Sequence, residues 1–153
     1  MKQSRQKRRV GDIFKIDLGD GSWAYGRVLK EPLVAIYDLK TSKEVPLQTI
    51  ISSPVAFKVW VMNSAITKGI WPVIGNAPLT PDLEVQPPFF KRDPLSGALS
   101  ITYVGGGDEI PASLEDCANL ENAAVWSAEH IVDRLNDHFA GRPNKWVELL
   151  KPR

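Results

Sequence analysis

The stretch "GDGSWAYGRVL" near the N-terminus places three large side chains at alternate positions directly after a run of turn residues. Period-two spacing in a strand puts Trp23, Tyr25 and Arg27 on one face of a sheet, and Trp60 repeats the pattern in a later strand. These residue types anchor protein–protein contacts, but they can also stack nucleic-acid bases or lie buried beneath a helix. The sequence therefore predicts Trp23, Tyr25, Arg27 and Trp60 as partner-binding residues. The alternative is burial under the C-terminal helix or under a proline-rich segment.

The residue types that usually perform nucleophilic or metal chemistry are sparse. His130 and His138 lie eight residues apart on one predicted helix, which is about 12 Å along its axis and too far for both to bind one ion. Arg134 stands between them, so both histidines are expected at the surface. Cys117 has no second cysteine to pair with and is interpreted as a partly buried structural thiol. No catalytic residue, metal or cofactor is assigned.

The remaining candidates for chemistry are a glycine run and two acidic pairs. The stretch "VGGGDEI" resembles a phosphate-binding loop only superficially, because no Lys-Ser or Lys-Thr pair follows it. Asp108–Glu109 and Glu115–Asp116 have the chemistry for general acid–base work or cation binding. With 18 acidic residues in the chain, such neighbours also arise by chance. We therefore interpret both pairs as solvated surface and the protein as a non-enzyme.

The composition is that of a globular domain, with 43% hydrophobic and 24% charged residues among 153. Its longest apolar runs are far shorter than the ~20 residues that span a bilayer, and the basic N-terminus precedes no apolar signal region. A single cysteine suits a reducing compartment, so a cytoplasmic location is expected, with no membrane partner. The oligomeric state remains open.

The positive charge is concentrated at the N-terminus. Five of the 19 basic residues fall within residues 1–9, which leaves 14 basic against 18 acidic residues, a net charge of −4, in residues 10–153. The sequence predicts that residues 1–9 form a frayed, solubilising tail and that residues 10–153 form one domain. Because a nucleic-acid-binding domain usually carries a basic face on its body, nucleic acid is the less favoured partner.

Hydrophobic periodicity and turn residues predict the order of the elements. Strands are expected at 12–18, 23–29, 33–39, 55–62 and 99–104, and a short helical turn at 63–68. The proline-rich stretch 72–94 is expected to contain no helix and at most an edge strand near 89–91. The clearest helix has Ser127 as its N-cap and ends before Gly141, and 146–150 is expected to return as a short strand.

These elements predict an α+β fold. The sheet is twisted and mainly antiparallel, could curl toward a half-barrel, and has the C-terminal helix packed on it. No internal repeat or domain-length change of composition divides the chain.

Six segments, in their order and spacing, carry a family resemblance. They are "VGDIFKIDLGDGSWAYGRVL", "PLVAIYDL", "FKVWVM", "GIWPVIG", "PLTPDLEVQPPFF" and "VWSAEHIVDRLNDHFAGRPNKW". Together they resemble the immunity protein 26 family of bacterial polymorphic toxin systems, from Val10 to Trp146. The resemblance implies a cytoplasmic antitoxin that binds a cognate toxin domain and blocks it by occlusion, without an active site of its own.

Two other functions stay open from the residues alone. One is a nucleic-acid-binding β domain, with the aromatic and arginine side chains of the second strand as a stacking platform and the basic N-terminus as a tether. The other is an enzyme that uses carboxylates alone, which requires a pocket that a sequence cannot display. The resemblance does not identify the toxin.

Overall fold

The computed structural model describes residues 4–103 and 109–153, and the described residues form ten strands and six helices. The strands are β1 (Asp12–Asp17), β2 (Trp23–Val28), β3 (Leu33–Tyr37), β4 (Val55–Val61), β5 (Val73–Asn76), β6 (Phe89–Arg92), β7 (Leu99–Thr102), β8 (Ile110–Ala112), β9 (Glu121–Asn122) and β10 (Val125–Trp126). The helices are α1 (Leu47–Ile51), α2 (Ser64–Thr67), α3 (Pro81–Glu84), α4 (Leu114–Cys117), α5 (Ala128–Ala140) and α6 (Lys145–Leu149).

The strands form two sheets. The larger has six strands in the order β10-β4-β3-β2-β1-β5, antiparallel throughout except for the parallel pair of β10 with β4. The smaller has four strands in the order β8-β7-β6-β9. Neither sheet closes into a barrel. The α+β class, the mainly antiparallel large sheet and the C-terminal helix packed on it are therefore confirmed.

The two faces of the larger sheet are covered by different elements. The face that carries Ala24 and Val28, here called the helical face, packs against Ile131 and Leu135 of α5, which are fully buried. Gly26 lies on this face where the packing is tightest. A Cβ on Gly26 would stand 2.3 Å from the ring of Phe14, so the close approach requires a residue without a side chain.

The opposite face carries Trp23, Tyr25 and Arg27 and is here called the aromatic face. Ile50 of α1 packs with Tyr25 over one part of it, and Leu83 of α3 covers the part around Leu29 and Leu33. Helix α5 does not reach this face. The prediction that the C-terminal helix covers the aromatic face is therefore wrong. The prediction that the proline-rich segment covers it is confirmed for the part of the face that packs under α3.

Three local predictions were wrong, each for an identifiable reason. The proline-rich stretch does contain a helical turn, α3, because Pro81 takes the first helical position, where its missing N–H is not needed. Strand β6 is not at an edge, since it lies between β7 and β9. Residues 145–149 form helix α6 instead of a strand, because the Asn144 side chain caps it by accepting hydrogen bonds from the N–H groups of Trp146 and Val147.

Candidate interaction surface

Trp23 keeps part of its side chain in solvent at the start of β2. Its backbone is fixed, because its N–H donates to the Thr41 carbonyl over 2.8 Å and its carbonyl accepts from the Thr41 N–H over 3.0 Å. The Lys15 ammonium lies 3.8 Å from the centre of a Trp23 ring, which is the geometry of a cation–π contact. A half-buried indole held in this way has little side-chain entropy left to lose in any contact.

The charges next to Trp23 belong to the β1–β2 turn. The carboxylate of Asp20 accepts hydrogen bonds from Ser22 and lies 3.2 Å from the Lys40 ammonium. The Ser22 bonds, helped by Lys40, lower the pKa of Asp20 to about 2. Asp20 is therefore ionised at neutral pH, and the end of the hairpin combines an aromatic side chain with charges of both signs.

Tyr25 is 2% exposed and belongs to the core. Its side chain packs with Ile13, Tyr37 and Ile50, and its hydroxyl shares a 2.6 Å hydrogen bond with the Thr41 hydroxyl. A phenol in this position satisfies its polar atom inside the protein. Tyr25 does not contribute to the surface in this structure.

Arg27 is also 2% exposed and ties three parts of the chain together. Its guanidinium donates to the Ala77 carbonyl over 2.6 Å, to the Gly11 carbonyl over 3.2 Å and to the Tyr37 hydroxyl over 3.2 Å. Burial raises the pKa of Tyr37, while the Arg27 charge acts in the opposite direction. Arg27 therefore joins the segments before β1 and after β5 to the aromatic face of β3.

Trp60 is half-buried at the far end of the same face. Its ring centre lies 4.8 Å from that of Phe89, and its buried Nε1 has no acceptor among the described residues. Strand register places Trp60 opposite Leu33, next to Leu29. Six residues of β-strand separate Leu29 from Trp23, or roughly 20 Å at 3.3 Å per residue. The four residues singled out from the sequence thus do not form one continuous surface, and their contact with a partner stays a prediction.

The burial of Tyr25 and Arg27 also bears on the nucleic-acid alternative. That hypothesis needed Trp23, Tyr25 and Arg27 together as a platform for successive bases. Only Trp23 of the three keeps exposed surface. The geometry thus lends this alternative no support.

The two histidines have structural partners. The His138 Nε2 lies 2.8 Å from a carboxylate oxygen of Asp38, and this contact joins α5 to the residues after β3. The ring of His130 stacks on that of Trp146, with centroids 3.9 Å apart, and so joins α5 to α6. Among the described residues no group of three or more histidine, cysteine or acidic side chains is arranged to hold a metal ion.

The cysteine and the acidic residues considered as candidates for chemistry have separate structural surroundings. Cys117 is fully buried, and burial together with Asp116 raises the pKa of its thiol. Asp116 forms a capping box with Ser113 at the start of α4, and the hydrogen bonds from Ser113 lower the pKa of Asp116. Glu109 pairs with Lys91 over 2.8 Å. The glycine run 104–108, with Asp108, lies outside the described residues. No described helix is long and apolar enough to cross a membrane.

A feature that sequence reasoning missed is the attachment of residues 4–9 to the body, where a frayed tail was expected. The Gln6 amide nitrogen donates to the carbonyls of Ile66 and Trp71 over 2.9 and 2.8 Å, and its amide oxygen accepts from the Val73 N–H over 3.1 Å. The Gln6 backbone N–H donates to the Thr67 carbonyl over 3.0 Å. One side chain thus satisfies three backbone groups between α2 and β5.

Arg8 makes a second attachment further along the segment. Its guanidinium donates to the carbonyls of Leu29 and Leu33, over 2.7 and 2.8 Å, where β2 turns into β3. Burial lowers the pKa of Arg8, and the nearby Glu31 carboxylate acts in the opposite direction. The only signal in the sequence for these contacts is the placement of Gln6 and Arg8 at alternate positions among exposed cations.

The family model described as Immunity protein 26 matches residues 9–99, which is more than half of the chain. The chain therefore belongs to the immunity protein 26 family. The matched residues include five of the six strands of the larger sheet, β1 to β5. The resemblance in the sequence was extended to Trp146, whereas the match ends at residue 99, so the motif around α5 lies beyond it. No curated protein and no solved structure matches the chain.

Proposed function

We propose that this protein binds a cognate toxin domain of a bacterial polymorphic toxin system and neutralises it by covering its functional surface. The observation that carries the proposal is the family match over residues 9–99. The protein would act in the cytoplasm of the toxin-producing cell and its siblings, with no cofactor and no reaction of its own. Neutralisation by occlusion requires a shaped surface and side chains that anchor the toxin.

Trp23 is the anchor that the geometry favours among the four residues proposed from the sequence. Tryptophan is enriched among the residues that dominate binding energy, and Trp23 is exposed in part, fixed by Thr41 and next to charged groups. A stable complex would bury about 1,200–2,000 Å² in total, so the contact must extend well beyond one side chain. The charges of Lys15 and Asp20 would then lie at the rim, where they orient the toxin during encounter.

The proposal is tested with the toxin encoded beside the gene. Both proteins are purified, and calorimetry measures their affinity while the toxin's own activity is followed with and without this protein. We expect a complex and a loss of toxin activity at equimolar concentrations. No complex at micromolar concentrations with the neighbouring toxin, or a complex in which the toxin stays fully active, contradicts the proposal.

A matched pair of variants locates the contact. Trp23→Ala is expected to weaken the complex by about 2 kcal/mol, or roughly 30-fold, as for an anchoring tryptophan. Trp146→Ala removes another half-buried tryptophan, on α6, and is expected to leave the affinity within a few-fold. Equal effects of the two substitutions contradict the role of Trp23 but not neutralisation itself.

A further inference from the structure

Residues 5–9 present a regular row of positive charge. Arg5, Lys7 and Arg9 are exposed, while Gln6 and Arg8 between them are half-buried and bonded to the body. Such alternation is the pattern of an extended chain, in which every second side chain lies about 7 Å further along the same side. Arg5, Lys7 and Arg9 are here called the cationic ridge. The ridge lies outside the residues that the family model matches, apart from Arg9.

The backbone next to the ridge is closely fitted to the body. Gly69 has a φ of +70°, and a Cβ on it would lie 2.0 Å from the Ser4 carbonyl oxygen. Only a residue without a side chain allows the N-terminal segment to lie so close to the end of α2. Together with the bonds of Gln6 and Arg8, this contact holds the ridge in one place on the surface, in contrast to a loose polybasic tail.

The charges of the ridge have no ionic partner among the described residues. None of the three cations forms an ion pair with a residue in the parts of the chain that the structure describes. The three cations line an open groove together with Asp12 and Val73. The carboxylate of Asp12 is buried and accepts a hydrogen bond from Asn76, so the exposed charge of the groove is positive.

The groove lies beside an edge of the larger sheet. Strand β5 is the last strand in the order, and Val73, which lines the groove, is its first residue. Ile74 and Val10 are 38% and 55% exposed in the same region. The Val73 N–H already donates to the Gln6 amide oxygen, so this edge offers an extended peptide chiefly the apolar side chains and the backbone of the later residues of β5.

We propose that the cationic ridge and the β5 edge bind an extended, acidic segment of the toxin, whose carboxylates at alternate positions face the three cations. This assignment rests on the proposed function. Alternate residues of the toxin segment would have the same spacing of about 7 Å as the ridge, so each carboxylate could meet one cation. The ridge would hold the toxin at a place separate from Trp23, which lies on the far side of β1 from β5.

A nucleic-acid strand is the competing occupant, and the lining of the groove disfavours it. Proteins that bind single strands combine backbone contacts with aromatic side chains on which bases stack. The groove is lined by Arg5, Gln6, Lys7, Arg9, Asp12 and Val73, with no aromatic residue. The exposed apolar side chains and the strand edge suit a peptide better than a phosphate backbone.

The first experiment uses a short, fluorescently labelled peptide of alternating glutamate and valine, with fluorescence anisotropy as the readout. The variant R5Q/K7Q/R9Q removes the ridge charges, and the control K145Q/K151Q/R153Q removes three exposed charges elsewhere. We expect the ridge variant to bind the peptide about tenfold more weakly at low salt, as for three exposed ion pairs, and the control to bind as the unsubstituted protein does. No binding by the unsubstituted protein, equal loss in both variants, or tighter binding of oligothymidylate than of the peptide overturns the proposal.

A second variant tests whether the ridge acts as a fixed element. Gln6→Ala removes the three side-chain hydrogen bonds of Gln6 without changing the charge. It is expected to weaken peptide binding severalfold and to speed trypsin cleavage within residues 5–9. The melting temperature is also expected to fall, because the carbonyls of Ile66 and Trp71 and the Val73 N–H lose their partner, so binding is measured well below the melting transition. Unchanged peptide affinity in Gln6→Ala would mean that the cations act as a loose tail, which contradicts the assignment.

Measuring how tightly the toxin binds the unsubstituted protein and both variants distinguishes a failure of this inference from a failure of the proposed function. If the toxin binds and the ridge variant binds it at least tenfold more weakly than the control variant does, the assignment holds. If the toxin binds both variants equally, neutralisation stands and the ridge proposal is overturned. If the toxin does not bind the unsubstituted protein at all, the proposed function fails, and with it the assignment of the ridge to a toxin segment.

Discussion

Replacing Arg27 with methionine separates the two roles that this residue could have. The sequence suggests that Arg27 contacts a partner, whereas the structure buries it and uses its guanidinium to join the segments around Gly11 and Ala77 to Tyr37. Methionine is an unbranched apolar side chain of similar volume that ends short of the guanidinium position, so the substitution removes the hydrogen bonds with little change of volume. A partner contact predicts lost affinity at full stability, and a structural role predicts lost stability.

The expected loss of stability in Arg27→Met follows from the hydrogen-bond partners that the substitution leaves unpaired. The Gly11 carbonyl keeps a hydrogen bond from the Ala77 N–H at 3.2 Å, so it remains satisfied. The Ala77 carbonyl and the Tyr37 hydroxyl lose a charged donor, and a buried polar group without a partner costs about 1–3 kcal/mol. Because methionine avoids the cost of burying a charge, we expect a net loss of about 3 kcal/mol. In a domain of this size that lowers the melting temperature by roughly 6–12 °C.

Urea unfolding followed by tryptophan fluorescence measures the change. The midpoint is expected to fall with an unchanged slope, because the same surface is exposed on unfolding. Lys15→Met, in β1, removes a half-exposed charge on the same face of the sheet and is expected to cost no more than about 1 kcal/mol. A midpoint for Arg27→Met equal to that of the unsubstituted protein, combined with weaker toxin binding, would refute the structural role.

The remaining predictions concern the packing of the helical face at Gly26, the pKa of Asp20 and the reactivity of the Cys117 thiol. Gly26→Ala forces a Cβ to within 2.3 Å of the Phe14 ring and is expected to cost about 1–3 kcal/mol in urea unfolding, and an unchanged midpoint would contradict the close approach. The pKa of Asp20, held at about 2 by the hydrogen bonds described above, should appear in an NMR titration and rise in Lys40→Ala. Because the folded pKa of Asp20 lies below the ordinary value of 3.8 for an aspartate, the stabilisation from Asp20 is complete above pH ~4 and is lost as the pH falls toward 2. Cys117 should react with a thiol reagent at pH 8 slowly in the folded protein and quickly in urea, and equal rates would contradict its burial.

The architecture was largely predictable from local patterns because each pattern has one dominant physical cause. Alternating apolar residues predicted β1, β2 and β4, and the Ser127 side chain accepts the hydrogen bond from the His130 N–H that its position as N-cap implies. The strand expected at 146–150 was wrong because an apolar-rich stretch of five residues fits a short strand or a short helix, and the Asn144 cap decides for helix α6. The smaller sheet was missed because its parallel pair, β6 with β9, joins residues about thirty positions apart.

The site was less predictable because period-two spacing specifies a face and does not specify what covers it. Trp23, Tyr25 and Arg27 do share a face, as their spacing predicts. The burial of Tyr25 depends on Ile50 of α1, a helix of only five residues with faint periodicity, and Arg27 is enclosed by the chain around Gly11 and Ala77, of which Ala77 is distant in sequence. The fixed position of Gln6 left only the alternation of residues 5–9 as a signal, since its partners are backbone groups around residues 66–73.

The hydrophobic core includes residues that lie beyond the end of the family match. This difference indicates which residues can determine the choice of toxin. The model ends at residue 99, yet Ile131 and Leu135 of α5 are fully buried against the helical face of the matched strands. Strand β10 extends the larger sheet through a parallel pair with β4, also from beyond the matched region. The matched strands therefore need the later residues to cover one face. The exposed side chains of Arg5 and Lys7 make no comparable contribution to the core, so these two positions can vary with the partner at little cost to the fold, as expected of residues that select one toxin.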